Sequence, residues 1–156
     1  MTDIPDNKAI ICRYVDELNR GNFDILKEVV ADSVALYSLL RTDRQEEPEV
    51  VSRQEYEQSI RDKVSAFPDY FVTILDILAE DDRVMICWQR QFTHQAEYLG
   101  VPPTGRAMVE RSISIYRLSN GRITEVRAFW DWADSWRQLG LIPAYDEIMR
   151  QKGQGR

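Results

Sequence analysis

The chain has 156 residues, 44% of them hydrophobic and 29% charged, enough to bury a substantial core without metal or disulfide staples. Its net charge of −6 argues against duplex nucleic acid and anionic membrane surfaces as partners, since both select a basic footprint. No run of about 18 apolar residues is available to span a membrane, and residues 1–8 are polar and acidic with no apolar signal core.

Two cysteines, Cys12 and Cys87, fall among apolar neighbours in a predicted helix and a predicted strand. That is the pattern of buried thiols in a reducing compartment, so a cytoplasmic location is expected. A single domain over 1–156 is expected, with a core at about 7–142 and a tail at about 143–156.

Residues 7–20 place Ile10, Ile11, Tyr14, Val15 and Leu18 at helical spacing, behind Asp6 as a cap and ahead of Gly21 as a stop. Asn22 can cap a second short helix over 23–30. Residues 34–40 are short and apolar, a strand. Residues 41–50 are charged and contain a proline, which predicts a mobile loop over an opening. Ser52 and Glu55 form a capping-box pattern that opens a helix through Ala66, ended by Phe67-Pro68-Asp69.

Beyond this point the apolar period falls from 3.6 to 2, predicting strands over 70–79, 83–97, 107–118 and 122–132. Asn120-Gly121 is a hairpin signal, because both residues tolerate positive φ. Short connections between consecutive strands predict a largely antiparallel meander. A helix over 133–139 stops at Gly140, and 145–151 can form a tail helix before a disordered 153–156. Helices followed by long strands make an α+β chain, with a curved sheet wrapped around the N-terminal helices to form a conical pocket.

Strand alternation puts Val84, Ile86, Trp88, Arg90, Phe92 and His94 on one heavy, apolar face. In the last strand it groups Ile123, Glu125, Arg127, Phe129 and Asp131 against Thr124, Val126, Ala128, Trp130 and Trp132. His94 is the only histidine, at a strand end; it is either a satisfied structural imidazole or a proton carrier. Asp131 is either a helix cap ahead of residues 133–139 or an acid/base. Trp88, Phe92, Phe129 and Trp130 are more often core than ligand platform. Arg90 on an apolar face must meet a carboxylate, with Glu110, Glu125 and Asp131 as candidates, or bind substrate oxygen. One histidine and no Cys-x-x-Cys make weak equipment for a metal site, and none is expected.

From Phe67 to Leu141 the chain resembles the SnoaL-like polyketide cyclases, or ester cyclases, of the nuclear-transport-factor-2-like superfold. The likeness rests on Phe67-Pro68-Asp69, Asp82-Arg83-Val84, Thr93-His94, and Gly100-Val101-Pro102-Pro103-Thr104-Gly105-Arg106. It continues in Ile115-Tyr116-Arg117, Asn120-Gly121-Arg122-Ile123, Glu125, Asp131 and Gln138-Leu139-Gly140, and Glu17–Asp24 resembles the family's first helix–turn–helix.

The resemblance implies a cystatin-like or nuclear-transport-factor-2-like α+β barrel. It implies a cofactor-free enzyme that closes a ring by intramolecular aldol condensation on a polyketide, with Asp131 as acid/base and His94 as its partner. A hydrophobic small-molecule substrate would then lie against Trp88, Arg90, Phe92, Arg127, Phe129 and Tyr37, and a homodimer or higher homo-oligomer is expected. The family often has tryptophan where Arg127 stands, glycine where Phe92 stands and histidine near Leu36, so the cavity wall is rebuilt here. Epoxide opening, hydration or dehydration, and isomerisation are alternative reactions of the same scaffold. A non-catalytic binding or dimerisation module is the alternative from another class.

Overall fold

The computed structural model describes residues 4–38, 47–143 and 145–153. Most of the expected loop over 41–50 and most of the tail over 153–156 lie outside the described residues. Helix α1 (Ile4–Asn19) forms from the apolar stripe and buries Ile11, Tyr14 and Val15. The Asn22 side chain accepts from the Asp24 amide at 3.2 Å, turning the chain into the short α2 (Ile25–Val29), later than expected. Strand β1 (Val30–Ser38) follows at once, four residues before the expected start.

A strand missed by the pattern, β2 (Glu49–Ser52), precedes α3 (Arg53–Ala66). At its N-terminus the Glu55 amide donates to Ser52 Oγ and the Ser52 amide donates to Glu55 Oε2, satisfying two donors that a bare helix end leaves open. Pro68 disfavours helical backbone at Phe67, so the helix stops.

Strands β3 (Phe71–Glu80), β4 (Arg83–Thr93), β5 (Ala107–Ser119) and β6 (Arg122–Phe129) form the meander. Asn120 and Gly121 have φ of 50° and 74°, the mirror-image turn whose twist suits a hairpin. The sheet order is β2-β1-β6-β5-β4-β3. Every pairing is antiparallel except β1 with β6, which is parallel. The chain is the α+β fold expected, its mixed sheet not closed, with β2 and β3 at the edges. At the β3 edge, Asn19 donates to the Val72 carbonyl at 2.7 Å and accepts from its amide at 2.9 Å, occupying groups that would otherwise template aggregation.

Helix α4 (Trp132–Leu139) packs back on β5 and closes at Gly140, whose φ of 77° is the left-handed cap a side chain would strain. Helix α5 (Tyr145–Gly153) follows.

The core lies between α1, α2 and the inner sheet face, where Val34, Val84, Ile86, Leu118 and Ile123 are fully buried. A smaller apolar cluster of Ala66, Phe67, Phe92 and Met108 sits at the other end of the sheet. The awkward face pattern of the last strand has a geometric cause. Arg117 faces Glu125 and Leu118 faces Ile123, so Thr124 is the extra residue of a β-bulge. Ile123 therefore joins Val126 on the inner face, while Glu125, Arg127 and Phe129 occupy the outer face. Cys87 also lies on the outer face, and both cysteines are half-buried and unpaired, not buried as expected.

Candidate functional site

At the end of the sheet away from the main core, α3, β4, β5 and α4 enclose a hollow of about 640 Å³ counted out to its open mouth. Its size and mainly apolar walls suit a small organic molecule. Strand β4 supplies Arg90, Phe92 and the following His94; β5 supplies Met108 and Glu110; α4 supplies Trp132, Ser135, Trp136 and Leu139.

His94 is held by the Phe67-Pro68-Asp69 segment and the Gly/Pro turn. The Thr93 amide and hydroxyl both donate to the Asp69 carboxylate at 2.7 Å, and these bonds hold that carboxyl below its usual range. Past Thr93 the chain leaves the ladder, because the Gln95 and Ala96 amides donate to the Ala66 carbonyl instead of extending β4. The His94 amide donates to the Arg106 carbonyl, and the Gly105 amide donates to the His94 carbonyl.

The imidazole is 1% exposed. Its Nδ1 accepts from the Thr104 amide at 3.3 Å and lies 3.2 Å from the Thr104 hydroxyl. An amide can only donate, so in the uncharged ring the proton sits on Nε2. Among the described residues that Nε2 is buried without a partner, and so is Trp130 Nε1, also on the wall of the hollow. Two unpaired buried N–H donors on one apolar cavity call for a function, since such groups are rare in folded proteins.

Arg90 resolves its three candidate partners in favour of Glu110, which stands directly opposite on β5. Its Nη1 donates to Tyr70 Oη at 3.2 Å, and the Ser135 hydroxyl donates to the other Glu110 oxygen. The guanidinium carbon lies 4.9 Å from the Trp88 ring centroid and 5.3 Å from that of Trp130.

Lys63, on α3, also borders the hollow, with Nζ 4.7 Å from the Trp130 ring centroid. Burial is the main cause that lowers its amine to about 7, helped by the positive Arg90 and opposed by Glu110.

Of the sequence-derived residues, His94, Arg90 and Phe92 meet in this hollow. Trp88 lies in the core beneath Arg90, its Nε1 donating to Ser114 Oγ. Arg127 stacks on Tyr37, 3.9 Å from guanidinium carbon to ring centroid, and pairs with Glu125 on the outer face. Phe129 is 48% exposed on that same face. The expectation that Arg127, Phe129 and Tyr37 wall a pocket is thus corrected: Arg127 and Phe129 share the outer face with Glu125, and Tyr37 pairs with Arg127 there.

Asp131 is also not where the pairing with His94 requires it. It is exposed at the N-cap of α4, accepts from the Asp134 amide at 3.0 Å, and faces a small separate depression beside Glu110 and Arg111. The capping alternative describes its position.

Lys63 and Ser135 were not singled out by pattern, and Glu110 only as one candidate partner of Arg90. Lys63 carried a signal nonetheless: it interrupts the stripe Tyr56, Ile60, Phe67 at the spacing where an apolar residue belongs. Among the described residues no three His, Cys, Asp or Glu side chains gather as a metal site.

The profile of the SnoaL-like polyketide cyclase family matches residues 8–139. No curated protein matches the chain. Among solved structures, AclR of Streptomyces galilaeus, described as a candidate hydroxylase, is 26% identical, with 90% of this chain and 100% of that chain covered and a TM-score of 0.75. IdmH of Streptomyces antibioticus, a candidate polyketide cyclase, is 26% identical over 86% of this chain and 98% of its own, with a TM-score of 0.72. A candidate SnoaL-like polyketide cyclase from Jannaschia sp. CCS1 shares the fold at 19% identity, with 92% of this chain and 98% of that chain covered and a TM-score of 0.78. Because that profile spans residues 8–139, most of the chain, the chain belongs to the SnoaL-like polyketide cyclase family.

Proposed function

We propose that the hollow binds a largely apolar, carbonyl-bearing polyketide and closes a ring in it by an intramolecular aldol reaction, without a cofactor. The observation that carries this reading is the unpartnered His94 Nε2–H in the apolar wall, joined by the Trp130 indole N–H. A carbon flanked by two carbonyls is acidic, and its enolate oxygen needs donors fixed in place before the charge develops. His94, locked by Thr104 with its proton on Nε2, supplies such a donor. Mainly apolar walls make each donor worth more than it would be in water. Holding both ends of one flexible molecule against the same wall supplies a further share of the acceleration.

Asp131 takes the role of a helix cap in this reading, and the family resemblance to a catalytic aspartate is tested by its own variant. The enzyme works in the cytoplasm, which its unpaired Cys12 and Cys87 support. A second copy of the chain covers the outer sheet face, where Val109, Ile113 and Phe129 stand half-exposed.

The direct test is incubation with a synthetic poly-β-ketone, with ring formation followed by mass spectrometry and absorbance. Ring closure that His94→Phe suppresses supports the proposal. Tight ligand binding with no turnover in the native protein would leave a binding module.

A further inference from the structure

We propose that Lys63 is a reactive amine of the hollow, forming an imine with a carbonyl carbon of the bound 1,3-dicarbonyl compound. This deepens the reading above and rests on the hollow being the site of a carbonyl substrate.

Three observations place the amine there. Lys63 borders the cavity from α3, across from Glu110 and Arg90 of the sheet. Among the described residues it makes no ion pair and no hydrogen bond, whereas Lys27 is tied to Asp24. Glu110, the nearest carboxylate of the wall, is already engaged by Arg90 and by the Ser135 hydroxyl, so it does not neutralise a second cation. The other titratable groups on the cavity are Tyr70, His94 and Tyr98.

The half-buried ammonium gives up part of its hydration here, and among the described residues only the Trp130 ring face, and no carboxylate, offsets that loss. The uncharged amine is therefore favoured more than in an exposed lysine, in line with its pKa of about 7. An uncharged amine is a nucleophile. Its lone pair attacks the carbonyl carbon, the former carbonyl oxygen takes up a proton, and the carbinolamine expels water as C=N forms. A proton then shifts from the carbon between the two carbonyl positions to the imine nitrogen, giving the enamine, whose carbon attacks a more distant carbonyl of the same molecule; the nitrogen's proton passes to the new alkoxide oxygen. Hydrolysis of the imine takes up one water, balancing the one expelled, and returns the amine and the carbonyl, so no oxidant or reductant is needed.

The chain has four lysines, Lys8, Lys27, Lys63 and Lys152, which makes the test unambiguous. The full-length protein is incubated at neutral pH with pentane-2,4-dione, whose imine rearranges to a conjugated enaminone visible in the near ultraviolet. Adducts are then mapped by peptide mass spectrometry. At neutral pH an amine lowered from 10.5 to about 7 is about half uncharged, about 10³-fold more than an ordinary lysine, so Lys63 should react at least about 10²-fold faster than Lys8 or Lys27. The expected result is one adduct, on Lys63, with the near-ultraviolet band lost in Lys63→Arg.

An adduct spread evenly over the lysines, or absent from Lys63 of the native protein, overturns the proposal without reliance on the variant's folding. Ring closure of a poly-β-ketone with no Lys63 adduct also overturns it while the cyclase reading stands. A Lys63 adduct in a protein that closes no ring upholds it and removes the cyclase reading instead.

Discussion

Arg90 and Glu110 face one another across the β4–β5 ladder, and their ion pair forms one wall of the hollow with Ser135 of α4 locked onto the free carboxylate oxygen. The side chains are 8% and 14% exposed, so neither charge is screened by bulk water. Removing Glu110 alone leaves a guanidinium among Trp88, Phe92 and Trp130 with only Tyr70 as partner. Glu110→Ala should therefore cost about 3–5 kcal/mol in urea unfolding. Replacing both partners together, as Arg90→Met with Glu110→Leu, should recover most of that loss. If Glu110→Ala unfolds at the same urea concentration as the native chain, the pair is not an isolated buried ion pair.

Asp131→Asn separates capping from catalysis. Asparagine is as good an N-cap as aspartate, so the Asp134 amide keeps its acceptor and α4 its start. Turnover should change by no more than about threefold, under about 1 kcal/mol of barrier. Asp131→Ala should destabilise the fold by about 1 kcal/mol without a further effect on chemistry. A collapse of turnover in Asp131→Asn would return this carboxylate to the reaction.

For His94 the expected effect has the opposite balance. His94→Phe keeps an aromatic ring beside Phe67, whose centroid is 5.4 Å away, while it removes the Nε2–H donor. Ring closure should fall by about 10²–10³-fold, as for loss of one oxyanion donor. Because there is a single histidine, a long-range 1H–15N spectrum of the native protein shows one ring only. In the uncharged state it should be the Nε2-protonated tautomer; an Nδ1-protonated ring would break the link to the Thr104 amide.

These two residues also show what the sequence could and could not disclose. Period-2 alternation was sufficient to align Arg90, Phe92 and His94 on one wall, because β4 is regular from Arg83 to Thr93. In β6 a single bulged residue, Thr124, reverses the phase, and no local pattern marks where a strand gains a residue. That one position explains why Ile123 joins Val126 on the inner face while Glu125, Arg127 and Phe129 occupy the outer one. The capping box at Ser52 and the Asn120-Gly121 turn were legible because their causes are local. Lys63 needed its tertiary surroundings, since a lysine in an apolar stripe reads equally as a chain that snorkels to water.

The outer face carries a prediction about assembly. Ile113 and Phe129 are register partners on β5 and β6, 43% and 48% exposed, with Val109 on the same strand 45% exposed. A second copy seated there would take these groups out of water. Ile113→Glu should convert a dimer to a monomer in light scattering, with the far-ultraviolet circular dichroism unchanged. A native chain that is already monomeric at high concentration would rule out this face as an interface between copies.

Lys63 links stability to pH with a defined sign. Its amine is lowered from the ordinary 10.5 to about 7 in the folded chain, chiefly by burial. Between those values the unfolded state binds the extra proton, so the native protein gains stability as pH rises. Below about pH 7 both states are protonated and the full cost of the buried ammonium is present. Lys63→Met keeps the length of the side chain and removes the charge. It should stabilise the fold most at about pH 6, with the advantage shrinking steadily toward about pH 9. Tyr14, Tyr56 and Tyr116 are all shifted upward by burial, Tyr56 to about 12, so they leave this window clear. Urea titrations of both chains at several pH values measure the difference directly. A gap between the two that does not narrow with rising pH would mean that Lys63 stays charged in the native hollow, in contact with water.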